Sequence, residues 1–336
     1  VFGGKMRGRS ALLQLSLLLL PLSVRSKIDR EAVVRRHNVW VDSAEELAVL
    51  SVGNGNFAFN VDATGLQTFN ASMILATQSS WGWHTSPFPA LGSEGTPFDN
   101  FSYQIFNKTD AHGRLRQVPY ATCANNSKPK CNWFYSNPHR LNLGQMSLMI
   151  NGKQRLTPPD VTNVSQSLDL YKGYIDSNFT IGHGCARVRV ETAADAHDDT
   201  VAIRMRAPSC LPGLGIQLAF PFAASSSSAS DWHSSIPGSR HSTIVVSNTS
   251  TSTGGSVVLS RRLDADAYFV HCRYADSRWI LSRNGPHSFV LLRSSSDDAL
   301  QSPSEVQLSC KFSNGDDVEA MQFPSSPPSD FTDTLR

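Results

Sequence analysis

The chain has 336 residues, of which 40% are hydrophobic and 17% are charged, and its formal net charge is +2 at pH 7. This length can bury one large core or two small ones. The near balance of 30 basic and 28 acidic residues, with no cluster of Lys and Arg interleaved with aromatic residues, excludes the usual signature of a nucleic-acid-binding protein.

The amino-terminal segment has the pattern of a secretory signal peptide. Two arginines precede the apolar run 11–24, and Ser26 supplies a small residue for cleavage. The run is short for a membrane span and is interrupted by Pro21. We therefore expect residues 1–26 to be a cleaved signal, no stable membrane span, and a mature chain that is secreted or held in the lumen of the secretory pathway. An uncleaved membrane anchor is the alternative.

The remainder of the chain reads as a series of short β-strands. Ten segments of this kind are rich in Val, Ile, Leu and Phe, often alternate apolar with polar residues, and are separated by Gly, Pro, Asn, Asp and Ser. They are GNFAFNVD, GQMSLMING, CARVRVETA, DTVAIRMRA, LGIQLAFPF, STIVVSN, GSVVLSRRL, DAYFVHCRY, HSFVLLRSS and EVQLSCKFS. Many strands with short connections bury their apolar faces best as two packed sheets, so we predict an all-β, antiparallel two-sheet sandwich with few short helices over residues 27–323.

The segment TQSSWGWHTSPF, residues 77–88, concentrates aromatic residues where no strand or helix period would carry them into a core. In an extended conformation Trp81 and Trp83 share one face and His84 lies on the other, whereas a loop around Gly82 splays them. Indole faces suit the C–H surfaces of sugars, and nearby polar groups can fix hydroxyls. The candidate substrate-binding residues are Gln78, Trp81, Trp83, His84, Asn54 and Asn56. Alternatively, both indoles cover the end of the sandwich or pack against a partner domain.

Cysteines and glycosylation motifs support export. The six cysteines are even in number, and Cys123 and Cys131 bracket a short loop, so we expect this pair to form a disulfide. Their spacing does not fit a zinc site, and we predict no metal and no cofactor. Seven Asn-X-Ser/Thr triplets are candidate glycosylation sites, at Asn70, Asn100, Asn107, Asn125, Asn163, Asn178 and Asn248.

Three groups of acidic residues are candidates for acid–base chemistry, at 195–199, 264–266 and 316–319. The first and last lie in turn-like contexts, where Asp usually bonds its own backbone. Asp264 and Asp266 are spaced to share one face of a strand, and the preceding arginines could neutralise them. We therefore predict a surface ion-pair cluster there rather than a catalytic pair of carboxylates.

Two segments break the strand pattern. Residues 223–242 are rich in Ser, which predicts a long exposed loop inside the sandwich, with a domain linker as the alternative. Residues 324–336 are polar and contain prolines, so we expect a disordered tail or a truncated linker.

The motif RHNVWVDSAEELAVLSVGNGNFAFNVDATGLQTF at 36–69, followed by TQSSWGWH, resembles the start of secreted six-hairpin glycosidases. The LSVGNGNFAF part is similar to the opening of the N-terminal domain of glycoside hydrolase family 65. The resemblance extends more weakly to 168–207 and to the later strands. It implies a galactose-mutarotase-like sandwich that precedes an (α/α)6 barrel, with the catalytic Glu in the barrel, so no catalytic residue is carried over to this chain.

The resemblance implies that the chain is the non-catalytic, carbohydrate-associated sandwich of a secreted glycoside hydrolase, with carbohydrate and a downstream helical domain as its partners. The aromatic segment would then pack on the barrel or reach toward its pocket. The alternatives are a free-standing, lectin-like carbohydrate-binding protein and a mutarotase-like epimerase, which would need a His acid and a carboxylate base in one cleft.

Overall fold

A computed structural model describes residues 28–69, 75–88, 102–122, 133–134, 136–151, 154–182, 187–211, 213–222, 240–294 and 303–315. The predicted signal peptide, the tail at 324–336 and most of the Ser-rich segment 223–242 lie outside these ranges, so their assignments stay predictions. The same holds for the domain boundaries.

The described residues form mainly β-strands, with the short helix α1 (Arg30–Arg35) and a 3-10 turn (Pro158–Asp160). The strands are β1 (Val39–Val41), β2 (Leu50–Gly53), β3 (Phe57–Val61), β4 (Thr77–Ser79), β5 (Trp83–His84), β6 (Ser102–Thr109), β7 (Leu115–Thr122), β8 (His139–Arg140), β9 (Gln145–Ile150), β10 (Gln154–Arg155), β11 (Val161–Asp169), β12 (Tyr174–Ile181), β13 (Val188–Ala194), β14 (Thr200–Ala207), β15 (Leu214–Ala219), β16 (His241–Thr251), β17 (Gly254–Leu263), β18 (Asp266–Ala275), β19 (Trp279–Gly285), β20 (Ser288–Arg293) and β21 (Ser304–Asn314).

These strands pair antiparallel throughout. A nine-stranded sheet has the order β1-β11-β12-β13-β14-β21-β18-β17-β16, and a five-stranded sheet has the order β10-β9-β15-β20-β19. A three-stranded sheet, β2-β3-β4, and the pairs β5-β8 and β6-β7 complete the fold. The predicted all-β antiparallel sandwich is confirmed, and each of the ten segments predicted from the sequence contains a strand.

One cluster of buried apolar side chains joins the three larger sheets. Residues alternate between buried and more exposed along β17 and β18, as the two-residue period of a half-buried strand requires. Phe57 of the three-stranded sheet stacks on Phe312 of the nine-stranded sheet, with 5.8 Å between ring centroids. The Tyr268 hydroxyl donates to the carbonyl oxygen of Leu143 at 2.8 Å. The core therefore fixes the loop before β9, next to the aromatic segment, against β18.

The hairpin β6-β7 is absent from the ten predicted segments for a physical reason. Ile105, Phe106 and Leu115 are exposed, so its described side chains do not alternate between a core face and a solvent face. Pro119 also lies in β7, where a two-stranded ribbon leaves an outer edge that needs no N–H donor.

Candidate functional site

The aromatic segment splays at Gly82. The N–H of Trp83 donates to the carbonyl oxygen of Trp81 at 2.8 Å, and the N–H of Gly82 donates to that of Ser79 at 3.0 Å. This tight turn prevents the two indoles from sharing a strand face. After it, β5 pairs with β8, with Trp83 opposite Arg140.

Trp81 is half-buried and packs against the core. Its indole N–H donates to Asp199 Oδ2 at 2.6 Å, and the Ser79 hydroxyl donates to the same oxygen. Its ring also lies against Tyr268, with 6.1 Å between centroids. Trp81 thus ties the aromatic segment to the turn before β14.

Trp83 points to solvent and is 44% exposed. The guanidinium carbon of Arg140 lies 4.0 Å from the ring centroid, and Arg140 also donates to the carbonyl oxygen of Ser79 at 3.0 Å. The indole N–H donates to the carbonyl oxygen of Ser80 at 3.2 Å. These contacts hold the ring in one orientation, with a cation against one face.

Of the three predicted amide residues, Gln78 lies in this segment, and Asn54 and Asn56 lie in the turn between β2 and β3. Asn54 accepts two backbone hydrogen bonds in its own turn, and its amide donates to the carbonyl oxygens of Asp195 and Asp198 at 3.0 and 3.1 Å. Its polar atoms are therefore engaged in the fold. Asn56 is exposed, and its carbonyl oxygen accepts from Ser80 N–H at 2.7 Å. Gln78 is half-buried in β4.

His84 is fully buried between two carboxylates. Its Nδ1 lies 2.6 Å from Asp266 Oδ2, and its Nε2 lies 3.2 Å from Asp264 Oδ2, a contact that has the distance of an ion pair but not the angles of a hydrogen bond. Arg240 donates two hydrogen bonds to Asp264, at 2.8 and 2.7 Å. We call these four residues the loop-end cluster.

The loop-end cluster corrects the predicted surface ion-pair arrangement. Asp264 lies in the β17–β18 turn with φ of 50°, so it does not share a strand face with Asp266. Its partner is Arg240, because Arg261 is fully buried and donates instead to the carbonyl oxygen of Ser242 at 3.0 Å. Burial raises the pKa of Asp264, but the hydrogen bond and the charge of Arg240, together with His84, outweigh burial and hold that pKa below its usual value.

Histidines and an aromatic ring surround this cluster. Phe222 contacts both His84 and His241 edge to face, and His241 stacks on His287 with 3.8 Å between centroids. Burial, with the nearby charge of Arg261, lowers the pKa of His241 to about 4. Burial, followed by His241 and Arg261, lowers the pKa of His287 to about 4 as well. Both rings are therefore neutral at pH 7.

The buried histidine bears on the epimerase alternative. His84 and two carboxylates do converge, as that chemistry requires, but the His84 side chain is 0% exposed. A general acid must come within hydrogen-bond reach of its substrate. In this conformation His84 contacts protein groups on both sides, and its arrangement suits a structural role. The sequence held no signal for this contact, since His84 and Asp266 are 182 residues apart.

The acidic residues of the 195–199 turn are also bound within the fold. Asp195 accepts the N–H groups of His197 and Asp198 at 2.8 and 2.9 Å, as expected for a turn-capping Asp. Asp198 pairs with Lys311 at 3.1 Å. The group at 316–319 lies outside the described residues.

One disulfide joins opposite residues of two paired strands. Cys272 of β18 and Cys310 of β21 are directly opposite in register, with Cα atoms 4.1 Å apart. Cys210 is also disulfide-bonded. The predicted pair Cys123–Cys131 lies outside the described residues and stays a prediction.

The sequons differ in their surroundings. Asn107, Asn163 and Asn248 are exposed, whereas Asn178 is half-buried and its amide donates to Asp176 at 3.0 Å. Asn70, Asn100 and Asn125 lie outside the described residues. Whether any of them carries a glycan stays a prediction.

In the described part of the chain, no helix combines the length and apolar character that a membrane crossing demands. Nor do three or more His, Cys, Asp or Glu side chains there converge in a way that could hold a metal ion.

No family model and no curated protein matches the chain. Among solved structures, it is similar to one described as a kojibiose phosphorylase from the human microbiome, with a TM-score of 0.46 and 11% identity over 85% of this chain and 34% of that one. Two structures of a family GH92 alpha-mannosidase from Bacteroides thetaiotaomicron also match. The one in complex with mannoimidazole has a TM-score of 0.20 and 6% identity, over 52% of this chain and 24% of that one. The other has a TM-score of 0.21 and 7% identity, over 64% and 30%. The chain thus spans about a third or less of the length of these proteins.

Proposed function

We propose that this chain is a non-catalytic, carbohydrate-associated sandwich of a secreted glycoside hydrolase, and that a helical domain outside the chain performs the chemistry. The observation that carries the proposal is the engagement of two carboxylates that lie near the aromatic segment in the described part of the chain, Asp199 and Asp264. Asp199 accepts from Ser79 and Trp81, and Asp264 is held by Arg240 against His84. Glycoside hydrolysis usually needs two carboxyl groups that flank the scissile bond, and carboxylates bound in this way are poorly placed for it.

The resemblance at residues 36–84 supports the same assignment, because in that family the sandwich carries no catalytic residue. The disulfide between Cys272 and Cys310 is compatible with export, since disulfides persist in oxidising compartments. Secretion itself remains part of the proposal.

Within this function, we assign the carbohydrate contact to Trp83. Its ring is exposed and oriented by Arg140, and an oriented aromatic ring offers a face to sugar C–H groups at a low entropic cost. Asn56, whose carbonyl oxygen accepts from Ser80 N–H, and Gln78 of the same aromatic segment are the candidates for hydroxyl contacts. Trp81, Asn54 and His84 would support this surface from below, because their polar atoms are bound to the fold.

The test is a calorimetric titration of the purified chain with gluco- and manno-oligosaccharides, with released reducing sugar measured in the same samples. We expect saturable binding, no sugar release, and a loss of affinity of about tenfold or more in Trp83→Ala, as for an anchoring Trp. Trp40→Ala is the matched control, because Trp40 is also an exposed tryptophan, 72% exposed on β1. The Trp40→Ala protein should bind the oligosaccharides as the parent chain does.

Other outcomes separate the alternatives. Sugar release by the chain alone would contradict a non-catalytic role. A flat titration would reject the free-standing, lectin-like alternative and the assignment of Trp83 as a sugar contact. Whether a helical catalytic domain accompanies the sandwich is then decided by the coding sequence beyond Arg336, because the proposal requires a helical-hairpin domain there. Faster interconversion of aldose anomers than in buffer would favour the epimerase alternative instead.

A further inference from the structure

The last strand of the nine-stranded sheet, β16, leaves the body of the sandwich partway along its length. Its first residues are tied down: Thr243 is buried, its hydroxyl contacts His287 Nδ1 at 2.8 Å, and its carbonyl oxygen accepts from Arg283 at 2.8 Å. Every residue from Ile244 to Thr251 is exposed. We call residues 244–251 the free edge segment.

The free edge segment is apolar where it begins. Ile244 is 58% exposed and Val246 is 55% exposed, and Val245 between them is also exposed. Among the described strands, β16 pairs only with β17, so its outer edge has unpaired backbone groups. A long edge strand with exposed β-branched residues is a template for pairing with another chain.

A glycosylation motif lies on this same segment. Asn248, Thr249 and Ser250 form the triplet, and the Asn248 side chain is exposed. Asn248 follows Val246 by two residues, a distance of about 7 Å along a strand. An oligosaccharide attached there would extend over the apolar start of the segment.

Two other sequons, at Asn178 and Asn163, have surroundings that differ from those of Asn248. Asn178 lies inside the sheet on β12, its amide is bound to Asp176, and the hydroxyl residue of its triplet, Thr180, is buried. Asn163 is exposed at an irregularity of β11 with φ of 53°, far from the sheet edge that β16 forms. Of these three, Asn248 alone is on the free edge segment.

We propose that Asn248 is N-glycosylated and that its glycan shields the free edge segment from pairing with a second copy of the chain. The inference rests on the proposed export. The donor is a lipid-linked oligosaccharide diphosphate. The bond between the anomeric carbon and the diphosphate oxygen breaks, the lipid diphosphate leaves with the electron pair, and the carbon bonds to Asn248 Nδ2, which loses one proton.

The test is secretory expression of the full chain in glycosylating cells, followed by glycopeptide mass spectrometry and light scattering on a sizing column. We expect a glycan at Asn248 and a monomer. Asn248→Gln and Ser250→Ala each remove the motif, and both should shift the protein to dimers or larger species. Ser250→Thr retains the motif and should stay monomeric, and Asn163→Gln removes a glycosylation motif elsewhere and should also stay monomeric.

A second substitution keeps the test valid if a variant merely misfolds. Ile244→Lys in the Asn248→Gln background places a charge on the edge and should restore the monomer, which it could not do for a misfolded chain. A glycan at Asn163 with none at Asn248, or a monomeric Asn248→Gln protein, would overturn this inference alone. A secreted chain with no glycan at any sequon would overturn this inference alone, whereas a chain that stays in the cytosol without a glycan would overturn both the export and this inference.

Discussion

Two ion-pair clusters in this fold depend on different structural features, one on the register of paired strands and the other on contacts between strand ends and turns. The first lies on the face of the nine-stranded sheet and consists of Asp176, Arg189, Glu191, Arg204, Arg206 and Glu305. The second is the loop-end cluster around His84. In the sheet-face cluster, Glu191 is directly opposite Asp176 on one side and Arg204 on the other. Strand register alone brings these charges together.

The residues of the loop-end cluster are not brought together by neighbouring strands of one sheet alone. His84 comes from β5, Arg240 precedes β16, and Asp264 occupies the β17–β18 turn. Arginines reach solvent in both clusters, but the loop-end cluster also contains an imidazole, that of His84, that is fully buried. When one partner of an ion pair is removed, the loss of stability is small if the remaining charge is hydrated and large if the remaining charge stays buried. The two clusters should therefore respond differently to neutral substitutions.

The largest expected effect is that of Asp264→Asn, which removes a charge from the loop-end cluster. Asn tolerates the left-handed backbone at this turn, so the substitution tests charge rather than strain. We expect the free energy of unfolding, measured in urea, to fall by about 3 kcal/mol.

Asp276→Asn is its matched control. Asp276 also has a left-handed backbone, with φ of 84°, in the turn after β18, but its side chain is 23% exposed, against 7% for Asp264. It should lose less than about 1 kcal/mol. Equal losses in the two variants would contradict the burial argument for the loop-end cluster.

In the sheet-face cluster, Glu191→Gln should have a smaller effect. Glu191 is buried and accepts hydrogen bonds from Arg204 and Arg189, but Gln keeps one acceptor oxygen and the arginines can turn to water. We expect a loss of about 2 kcal/mol in the same urea experiment. Glu305→Gln, on the exposed rim of this cluster, should lose less than about 0.5 kcal/mol. A larger loss for Glu191→Gln than for Asp264→Asn would reverse the comparison.

The same contrast explains what the sequence could predict. The strands were predictable because their alternation is local: GSVVLSRRL and DAYFVHCRY carry the period of β17 and β18 within nine residues each. Sheet order was not, because the pairing of β14 with β21 depends on packing between segments about a hundred residues apart. The neighbouring arginines predict surface ion pairs for Asp264 and Asp266. In the structure their partners are instead Arg240 and His84, which are distant in sequence.

The aromatic segment illustrates an intermediate case. The sequence identified the cluster of Trp81, Trp83 and His84, and Gly82 indicated that the indoles could splay. Their separate environments were not predictable, because the inward position of Trp81 depends on Asp199, which is 118 residues away. Its role as a sugar-binding surface stays a prediction that the Trp83→Ala titration tests.

The remaining expected effect appears only below pH 6.5 and is the pH dependence of the histidine stack, His241 and His287, beside the loop-end cluster. Burial lowers the pKa of His241 and of His287 to about 4 from an unfolded value of 6.5, so between these values the unfolded chain binds more protons than the folded one. Their contribution to stability is fully present above pH 6.5 and is lost as the pH falls toward 4. Arg261 and Arg283 add positive charge around the stack, and Asp264 partly opposes it.

His241→Phe keeps an aromatic ring between Phe222 and His287 and removes one of the titrating groups. The midpoint of thermal unfolding should match the parent near pH 7.5 and should fall less steeply as the pH is lowered to 5. The slope should shrink rather than vanish, because burial also lowers the pKa of His271, on β18, to about 4. If the unfolding midpoint depended on pH equally in the two proteins, His241 would bind its proton equally well in the folded and the unfolded chain. The acid sensitivity of the fold would then arise from other groups, such as His271 or His139, whose pKa burial also lowers.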